Sequence, residues 1–348
     1  MSKNPLSLQL DLKPEDFLPA SNEEKESLII MRDSVSFWKD GLRRLNKNKV
    51  AMASIIVIII VMFFSFIVPM FYPYSYEQQI KGANNLAPFE FSAGEQELIA
   101  QGENLFPHIC GTDKLGRDYS IRVMLGSRIS LLVGLIATAI ILVIGATIGS
   151  IAAFAGGWVD IIIMRIVDVI YTIPDVLLIV LLSFALDKPL ENLANTPGFG
   201  WVKIVGDNMI SIFVVFALLY WVGMARMIRS QILILKESEY VTAARALGAS
   251  SSRIIKKHLL TNCLGTLIVT TPIQIPSSIF TESFLSFFGL GVAVPLPSLG
   301  SLASDAINGL ATYPYLLMIP AVTISLIILS FNLLGDGLRD AFDPKLKN

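Results

Sequence analysis

The chain has 348 residues, of which 53% are hydrophobic and only 16% charged, and its mean hydropathy is +0.64. An ordinary soluble domain carries about 25% charged residues, so the composition excludes that class and predicts a polytopic membrane protein. The 27 cationic and 28 acidic residues nearly balance, and no basic cluster interleaved with aromatic residues occurs, so nothing indicates a nucleic-acid partner. Cys110 and Cys263 are predicted to be unpaired structural thiols.

The amino-terminal region precedes the first apolar run. Residues 1–36 are polar and interrupted by prolines, which predicts a flexible cytoplasmic tail. Within residues 37–49, apolar residues such as Trp38 and Leu42 recur at helical spacing among cationic residues. That pattern predicts an interfacial amphipathic helix, which either anchors on membrane lipid or packs on the helix bundle.

Six apolar stretches are long enough to cross a membrane, since a spanning helix needs roughly 20 mostly apolar residues. They are residues 50–72, 129–154, 159–186, 209–226, 263–290 and 314–335. The first follows a long charged tail and lacks the cleavage pattern of a signal peptide, so we expect it to stay attached. The sequence thus predicts an all-α bundle of six transmembrane helices, with spans two to six forming a core over residues 129–335.

The connections between spans set the orientation. Lysine and arginine concentrate before the first span, in the connection 227–262, and in the carboxyl-terminal tail 336–348. Six crossings put these regions on one face, and the positive-inside rule makes that face cytoplasmic. Both termini are therefore expected in the cytoplasm. Residues 73–128 then form an extracytoplasmic loop, with a second interfacial helix expected around Leu115–Arg128.

The chain carries no recognisable catalytic set. It has no Gly-x-x-x-x-Gly-Lys-Ser/Thr phosphate loop, no His-Glu-x-x-His and no Gly-x-Ser-x-Gly. Its two histidines, His108 and His258, fall on opposite predicted faces of the membrane, so a histidine metal site is not expected. We therefore expect no cofactor, no metal and no catalytic residue in this chain. An intramembrane enzyme is the weakest interpretation.

A polar, small-residue helix signal stands between spans four and five, over residues Glu239 to Gly248. Ala243, Ala244 and Gly248 are expected on one side of this helix, where another protein can approach closely. Gly248 is expected to end the helix, because glycine readily adopts the left-handed conformation common at helix ends. An ordinary amphipathic cytoplasmic loop is the alternative.

This segment resembles the coupling-loop motif of bacterial ABC importer permeases, whose general form is Glu-Ala-Ala, three residues, Gly, nine residues, Ile-x-Leu-Pro. Aligned on Gly248, Thr242 replaces the usual Glu, His258 stands at the Ile position and Thr261 replaces the Pro. Further segments are similar to the second permease subunit of oligopeptide and dipeptide importers, in the expected order from about residue 38 onward. They are Gly111–Asp118, Gly156–Asp160, Met164–Asp168, Glu282–Gly291 and Asp343-Pro344.

The resemblance implies the type I ABC importer permease fold in a bacterial cytoplasmic membrane. It also implies a homologous second permease subunit, two P-loop ATPase subunits that bind ATP and Mg, an extracytoplasmic peptide-binding protein and a peptide substrate. The docking helix would cover about residues 239–247 and include Tyr240. Ala243 and Ala244 would settle into a groove on the ATPase, while Glu239 and Arg245 would fix its register by charge.

Ionisable residues inside apolar spans are candidates for the translocation pathway, because a charge in hydrocarbon costs at least a few kcal/mol. We select Asp175 and Glu282 on this ground. The alternative is that neighbouring helices satisfy the two carboxyl groups. Arg165 and Asp168, spaced i, i+3, are expected to form a local ion pair.

Asp113, Arg117 and Asp118 are candidates for contact with the partner permease or the binding protein. A purely local role, turning the chain into span two, is the alternative for these three residues. Gly111, Thr112 and Asp113 are typical of a helix cap before Leu115.

The sequence therefore predicts a permease subunit that imports oligopeptides or dipeptides, driven by ATP hydrolysis on partner chains. A permease of the same fold for nickel or another small solute is the alternative closest to it. A stand-alone secondary transporter is the alternative from a different class.

Overall fold

The computed structural model describes residues 37–197, 206–292 and 296–342. The predicted flexible tail 1–36 and the Asp343-Pro344 segment lie outside these residues. Within them the chain is helical, with one isolated antiparallel bridge between Thr112 and Asp118 and no strand.

The helices follow one another along the chain and are numbered here in that order. They are α1 (Phe37–Lys47), α2 (Lys49–Phe66), α3 (Ala93–Ala100), α4 (Tyr119–Ala155), α5 (Gly157–Thr172), α6 (Asp175–Ala194), α7 (Asp207–Val215), α8 (Trp221–Leu235), α9 (Glu239–Ala246), α10 (Ser251–Arg253), α11 (Leu260–Asn262), α12 (Leu264–Phe287), α13 (Leu299–Ile307) and α14 (Pro314–Phe342). A 3₁₀ turn, Val68–Met70, follows α2. Two π-helical segments, Phe216–Tyr220 and Ile254–Leu259, join α7 to α8 and α10 to α11.

Four helical stretches are long and apolar enough to cross a membrane: Lys49–Met70, Tyr119–Ala155, Asn208–Leu235 and Pro314–Phe342. Two further candidates are pairs of helices bent at a short break. Gly157–Thr172 meets Val176–Ala194 at 96°, and Ser251–Asn262 meets Leu264–Phe287 at 68°. If each bent pair counts as one span, length and composition give up to six spans, the number that the apolar runs predict.

Helix α4 begins earlier than the sequence predicts. The prediction of a separate interfacial helix around Leu115–Arg128 is wrong, because the chain from Tyr119 onward already belongs to α4. The Asp118 side chain caps this helix by accepting a hydrogen bond from the Ile121 amide at 3.0 Å. Tyr119 and Ile121 are buried, so the helix has an apolar face from its first turn.

The carboxyl-terminal helix also runs further than predicted. Residues 336–342, expected in the cytoplasmic tail, form the last turns of α14. Phe342 and Ala341 are buried in a small cluster with Leu45 of α1 and Ala51 of α2. The helix predicted over residues 37–49 therefore packs on the bundle, the second of its two expected roles.

Helix α4 lies at the centre of the bundle and packs against α8 and α12. Glycines let α8 approach closely, since a Cβ at Gly145 would lie 2.6 Å from the Cβ of Met224. Helix α8 extends to Leu235, so the connection predicted over 227–262 begins inside a helix. Since α4 has 37 residues, its two ends lie about 55 Å apart.

Candidate functional site

Helix α9 is held against the segment that follows it. Its Val241 side chain is fully buried and belongs to the same core cluster as Ile254 and Leu259. At the helix edge, the Asn262 amide donates a hydrogen bond to the Tyr240 hydroxyl at 3.2 Å. One buried apolar side chain and one polar contact thus fix the position of the helix. We call residues 236–262 the docking segment.

The end of α9 is fixed by its backbone. Gly248 has a φ of +79°, its N–H donates to the Arg245 carbonyl at 2.9 Å, and the Ala249 N–H donates to the Ala244 carbonyl at 3.0 Å. These two bonds form a Schellman motif, which satisfies carbonyls that the helix end leaves free. Among the described residues other than its chain neighbours, no atom lies within 4 Å of a Cβ placed on Gly248. Glycine is therefore favoured here by backbone conformation and not by crowding.

The outward face of α9 carries an apolar side chain. Leu247 is 88% exposed, the largest exposure among the bulky apolar side chains of the described residues. Ala243, one turn earlier, is exposed as well. Leu247 and Ala243 therefore present apolar surface at the end of α9, outside the spans. Sequence analysis did not select Leu247, although its i, i+4 spacing from Ala243 and its place before the closing glycine are visible there.

Two residues of the predicted docking face turn toward their own chain. Ala244 is half-buried and packs against the core cluster, whereas Ala243 is exposed. Ala244 therefore faces its own chain in part, because burial of Val241 one turn earlier turns that side of the helix inward, and entry of the two alanines into a groove on a partner stays a prediction. The Arg245 guanidinium lies over the Phe154 ring, 5.2 Å from its centroid. Glu239 is exposed.

Ion pairs join α8, which leads into α9, to α5. Arg229 donates from Nε and Nη2 to the two carboxylate oxygens of Asp160, at 2.6 Å each. Arg226 pairs with Asp168 at 2.7 Å. The predicted pair between Arg165 and Asp168 is therefore wrong, since Asp168 binds a cation from the facing helix. These ion pairs connect α5 to the helix that precedes α9.

A cleft of about 830 Å³ lies between α8 and α12 and extends to the end of α14. Its wall contains Gln231 from α8 and a row of uncharged polar residues spaced four apart. The row consists of Asn262, Thr266, Thr270 and Gln274. Side chains four apart lie on one face of a helix, so the row forms a polar stripe along the cleft. These four residues are not among the predicted pathway residues, because that prediction rests on ionisable side chains in the spans.

Of the two predicted pathway carboxylates, the structure describes the side chain of Glu282, which does not line this cleft. Glu282 is fully buried and accepts hydrogen bonds from the Ser130 hydroxyl at 2.6 Å and the Ser286 hydroxyl at 2.7 Å. This placement inside the chain favours the alternative, a carboxyl group satisfied by neighbouring helices. Asp175 begins α6 directly after Pro174, and its side chain lies outside the described part of the structure.

The three candidates in the outer loop are bound within it. We call residues 67–118 the outer loop; Asp113, Arg117 and Asp118 are all buried. The Asp113 carboxylate accepts from Arg117 Nε at 2.7 Å and from the Arg117 amide at 3.0 Å. Asp118 caps α4. These contacts favour the local role in turning the chain into span two, and contact with a partner stays a prediction.

A buried histidine links two parts of the outer loop to α4. His108 Nδ1 lies 2.7 Å from Asp118 and Nε2 lies 3.1 Å from Glu95, which forms a capping box with Ser92 at the start of α3. Burial works to lower the pKa of His108, but its hydrogen bonds and its attraction to both carboxylates outweigh burial and raise that pKa. Burial works to raise the pKa of Glu95, but hydrogen bonds from Ser92 and the charge of His108 lower it. Sequence analysis did not select this triad.

The described residues contain no group of three or more histidine, cysteine or acidic side chains arranged to hold a metal ion. Both cysteines are free. The described residues offer a helical bundle of up to six candidate spans, a polar-lined cleft and a short helix, α9, with an exposed leucine at its end. These features define a membrane transport subunit.

The chain belongs to the family of binding-protein-dependent transport system inner membrane components, whose model matches residues 145–348. Residues 36–88 match the model of the N-terminal transmembrane domain of oligopeptide transport permease C. The fold is therefore that of type I ABC importer permeases, and the chain is an inner-membrane component of a multi-subunit ABC transporter.

Named relatives match almost the whole chain. The oligopeptide transport system permease protein OppC of Bacillus subtilis is 38% identical over 95% of this chain and 97% of its own. The dipeptide transport system permease protein DppC of the same organism is 39% identical over 94% and 92%. OppC of Escherichia coli K12 is 36% identical over 89% and 92%.

Proposed function

We propose that this chain is the permease subunit of an ABC importer that moves oligopeptides or dipeptides across the bacterial cytoplasmic membrane. The relatives that support this cargo carry oligopeptide and dipeptide transport in their names. A homologous second permease completes the pathway, and an extracytoplasmic peptide-binding protein delivers the peptide. Two P-loop ATPase subunits bind ATP and Mg, so this chain itself holds no cofactor and catalyses no reaction.

The outward face of α9 is the observation that carries the proposal. Leu247 and Ala243 present a small apolar surface on a helix whose position is fixed by Val241 and whose end is fixed by Gly248. A rigid apolar contact of this kind loses little entropy on binding. When the ATPase subunits move, the ion pairs between α8 and α5 pass that movement from α9 into two spans.

The cytoplasm lies on the α9 side of the membrane in this proposal. The outer loop precedes the first residue of α4, and Arg245 of α9 contacts Phe154 near its last residue, so the two regions lie at opposite ends of one spanning helix. The excess of lysine and arginine in the docking segment puts that end inside the cell. With six crossings, both termini are cytoplasmic.

The peptide path runs along the cleft between α8 and α12. Its row of hydroxyl and amide side chains can hydrogen-bond the peptide backbone, which every peptide shares. Such groups would guide cargo of many sequences, and the charge of Arg339 lies where the cleft reaches the end of α14. This chain therefore contributes a permissive path, whereas the binding protein sets the preference.

The proposal is tested by reconstituting the complex in proteoliposomes and measuring ATP-driven uptake of labelled peptides of graded length, with nickel as competitor. We expect uptake of peptides that nickel does not reduce. The Leu247→Asp variant should lose uptake and bind the ATPase about thirtyfold more weakly, as for a central contact worth about 2 kcal/mol. A fluorescence titration with purified ATPase measures that affinity.

Thr242→Asp is the matched control, since Thr242 is exposed on the same helix but points away from Leu247. It adds the same charge near the helix start, where an acid is tolerated, and should retain uptake. If wild type and Leu247→Asp had equal ATPase affinity and equal uptake, α9 would not be the contact with the ATPase. Peptide uptake without ATP would instead identify a secondary transporter.

A further inference from the structure

A small charged cavity lies at the outer end of the bundle, separate from the cleft and from α9. It measures about 240 Å³ and is enclosed by the outer loop, the first turn of α4, α13 and the start of α14. Its charged wall residues are Asp113, Lys114, Arg122 and Asp305, and uncharged ones include Asn85 and Tyr313. At about 30 Å³ per water molecule, the cavity has room for one small polar group and a few carbon atoms.

Arg122 is the unusual residue of this cavity. Its side chain is only 6% exposed, and its Nη1 pairs with Asp113. Its Nε is buried and has no hydrogen-bond partner among the described residues, while Nη2 lies 4.0 Å from Asp305, beyond hydrogen-bond distance. A buried cation that leaves one edge of its donors unused is costly. The site therefore has unused capacity to bind an acceptor.

The same chain shows what that edge of a guanidinium can bind. In Arg229 the Nε and Nη2 donors hold the two oxygens of Asp160 at 2.6 Å each. In Arg122 the corresponding donors face no such carboxylate. The Asp113 carboxylate, which pairs with Nη1 of Arg122, is not available to Nε and Nη2 as well. It also accepts hydrogen bonds from Arg117 Nε and from the amides of Leu115 and Arg117.

The charges around the cavity favour an anion. Three cations, Lys114, Arg117 and Arg122, are close to only two carboxylates, Asp113 and Asp305. The Lys114–Asp305 pair at the rim is 3.3 Å long, with side chains 58% and 46% exposed. Exposed pairs contribute little stability, so this rim can open without large cost.

We propose that this cavity is a carboxylate-binding site in which the Nε and Nη2 edge of Arg122 holds the carboxylate and Asp305 moves aside. A bidentate arginine–carboxylate contact is the geometry that this edge provides. The carboxylate can be a small free acid or the carboxyl terminus of a peptide arriving from the outer side. The second source rests on the proposed peptide transport, whereas binding of a carboxylate does not.

The test measures the thermal unfolding midpoint of the full permease–ATPase complex in nanodiscs as sodium acetate is added, against sodium chloride and acetamide at matched concentration. Binding to the folded state raises the midpoint, so acetate should raise it more than either control. Asp305→Asn removes the competing carboxylate and should lower the half-saturating acetate concentration by about tenfold. Arg122→Gln should abolish the acetate effect, and Lys114→Gln should raise the half-saturating concentration.

Arg128→Gln is the matched control, because Arg128 lies on the same helix but donates to the backbone carbonyls of Ser65 and Phe66. It should keep the wild-type acetate response. If Arg122→Gln fails to fold, Asp305→Asn and Lys114→Gln still test the proposal, because they should change the half-saturating acetate concentration in opposite directions. A response to acetate no larger than to chloride, in both wild type and Asp305→Asn, would overturn the proposal.

The source of the carboxylate is assigned with trialanine and its carboxyl-terminal amide. A stabilising effect of the free acid alone assigns the site to peptide carboxyl termini. An effect of acetate without any effect of trialanine supports a site for small acids. Because these are binding measurements, loss of ATP-driven peptide uptake would not change their outcome.

Discussion

The outer loop and the docking segment lie at opposite ends of α4 and are held in place by different forces. In the outer loop, buried charged groups bind one another: His108 lies between Glu95 and Asp118, and Asp113 binds two arginines. In the docking segment, the buried side chain of Val241 and the glycine that ends α9 hold an exposed apolar face. The first arrangement pairs its buried carboxylates with histidine and arginine side chains, whereas the second leaves an apolar surface exposed.

The difference separates structural residues from candidate contact residues. Charged side chains that are buried and fully paired contribute to the folded conformation, and removing one partner is costly. Exposed apolar side chains on a rigid helix contribute little to folding and are available to another protein. Changes in the outer loop should therefore affect stability most, and changes in the docking segment should affect association most.

Asp118→Ala should have the largest effect on stability. It removes the cap of α4 and the 2.7 Å contact with His108. Breaking a buried charged contact costs about 3–5 kcal/mol, so amide hydrogen exchange in proteoliposomes should show the outer loop opening far more often. The affinity for the ATPase in detergent should change much less.

Glu97→Ala is the control for that variant, because Glu97 lies on α3 but is exposed. Its exchange pattern should match wild type. If Asp118→Ala left the outer loop as protected as Glu97→Ala does, the buried pairs would not be what holds the loop.

The sequence predicts the apolar spans of this fold better than the positions at which individual helices begin and end. Long hydrophobic runs mark the spans because burial in hydrocarbon requires them, and Gly248 marks the end of α9 because few other residues adopt its φ. The start of α4 is missed because its first turn carries Arg122, whose charge is neutralised by Asp113 from the loop that precedes the helix. Such pairing depends on tertiary contacts that a local pattern does not contain.

For the candidate site, too, the sequence predicts the position of the segment but not which of its side chains face outward. The segment from Glu239 to Gly248 is visible in the sequence, but which side of it faces out depends on the burial of Val241. A carboxylate in a span indicates that hydrogen-bond partners are needed. For Glu282 these partners are serine hydroxyls from α4 and α12. Serine is too common in the sequence to identify those partners in advance.

Gly248→Val should have an intermediate effect, confined to the docking segment. A β-branched residue is strained at a φ of +79°, at a cost of about 1–2 kcal/mol. The last turn of α9 should fray and Leu247 should lose its fixed direction. We expect ATPase affinity to fall about five- to thirtyfold, measured by the same titration, with unchanged hydrogen exchange in the outer loop.

Gly248→Asn is the control for backbone strain, since asparagine tolerates the left-handed conformation better than other residues with a side chain. It should lie between wild type and Gly248→Val in ATPase affinity. If both variants bound the ATPase like wild type, the Schellman end of α9 would have no part in presenting Leu247.

The pH dependence of the outer loop should be the smallest effect. The pKa of His108 is raised in the folded loop, so its contribution to stability is complete below its unfolded-state pKa of about 6.5. That contribution is lost as the pH rises through the raised folded-state pKa. The lowered pKa of Glu95 acts in the opposite range: its contribution is present above about pH 4.3 and is lost as the pH falls through the folded-state value.

Protection of the outer loop against hydrogen exchange, corrected for intrinsic exchange rates, should therefore be highest at mildly acidic pH and decline toward alkaline pH. His108→Gln removes the titrating group and should flatten the alkaline decline, whereas His258→Gln, in the docking segment, should leave it unchanged. An equal decline in all three proteins would mean that another group controls the loop. A decline lost only in His108→Gln would assign the pH dependence to the buried charges that distinguish this end of the molecule from α9.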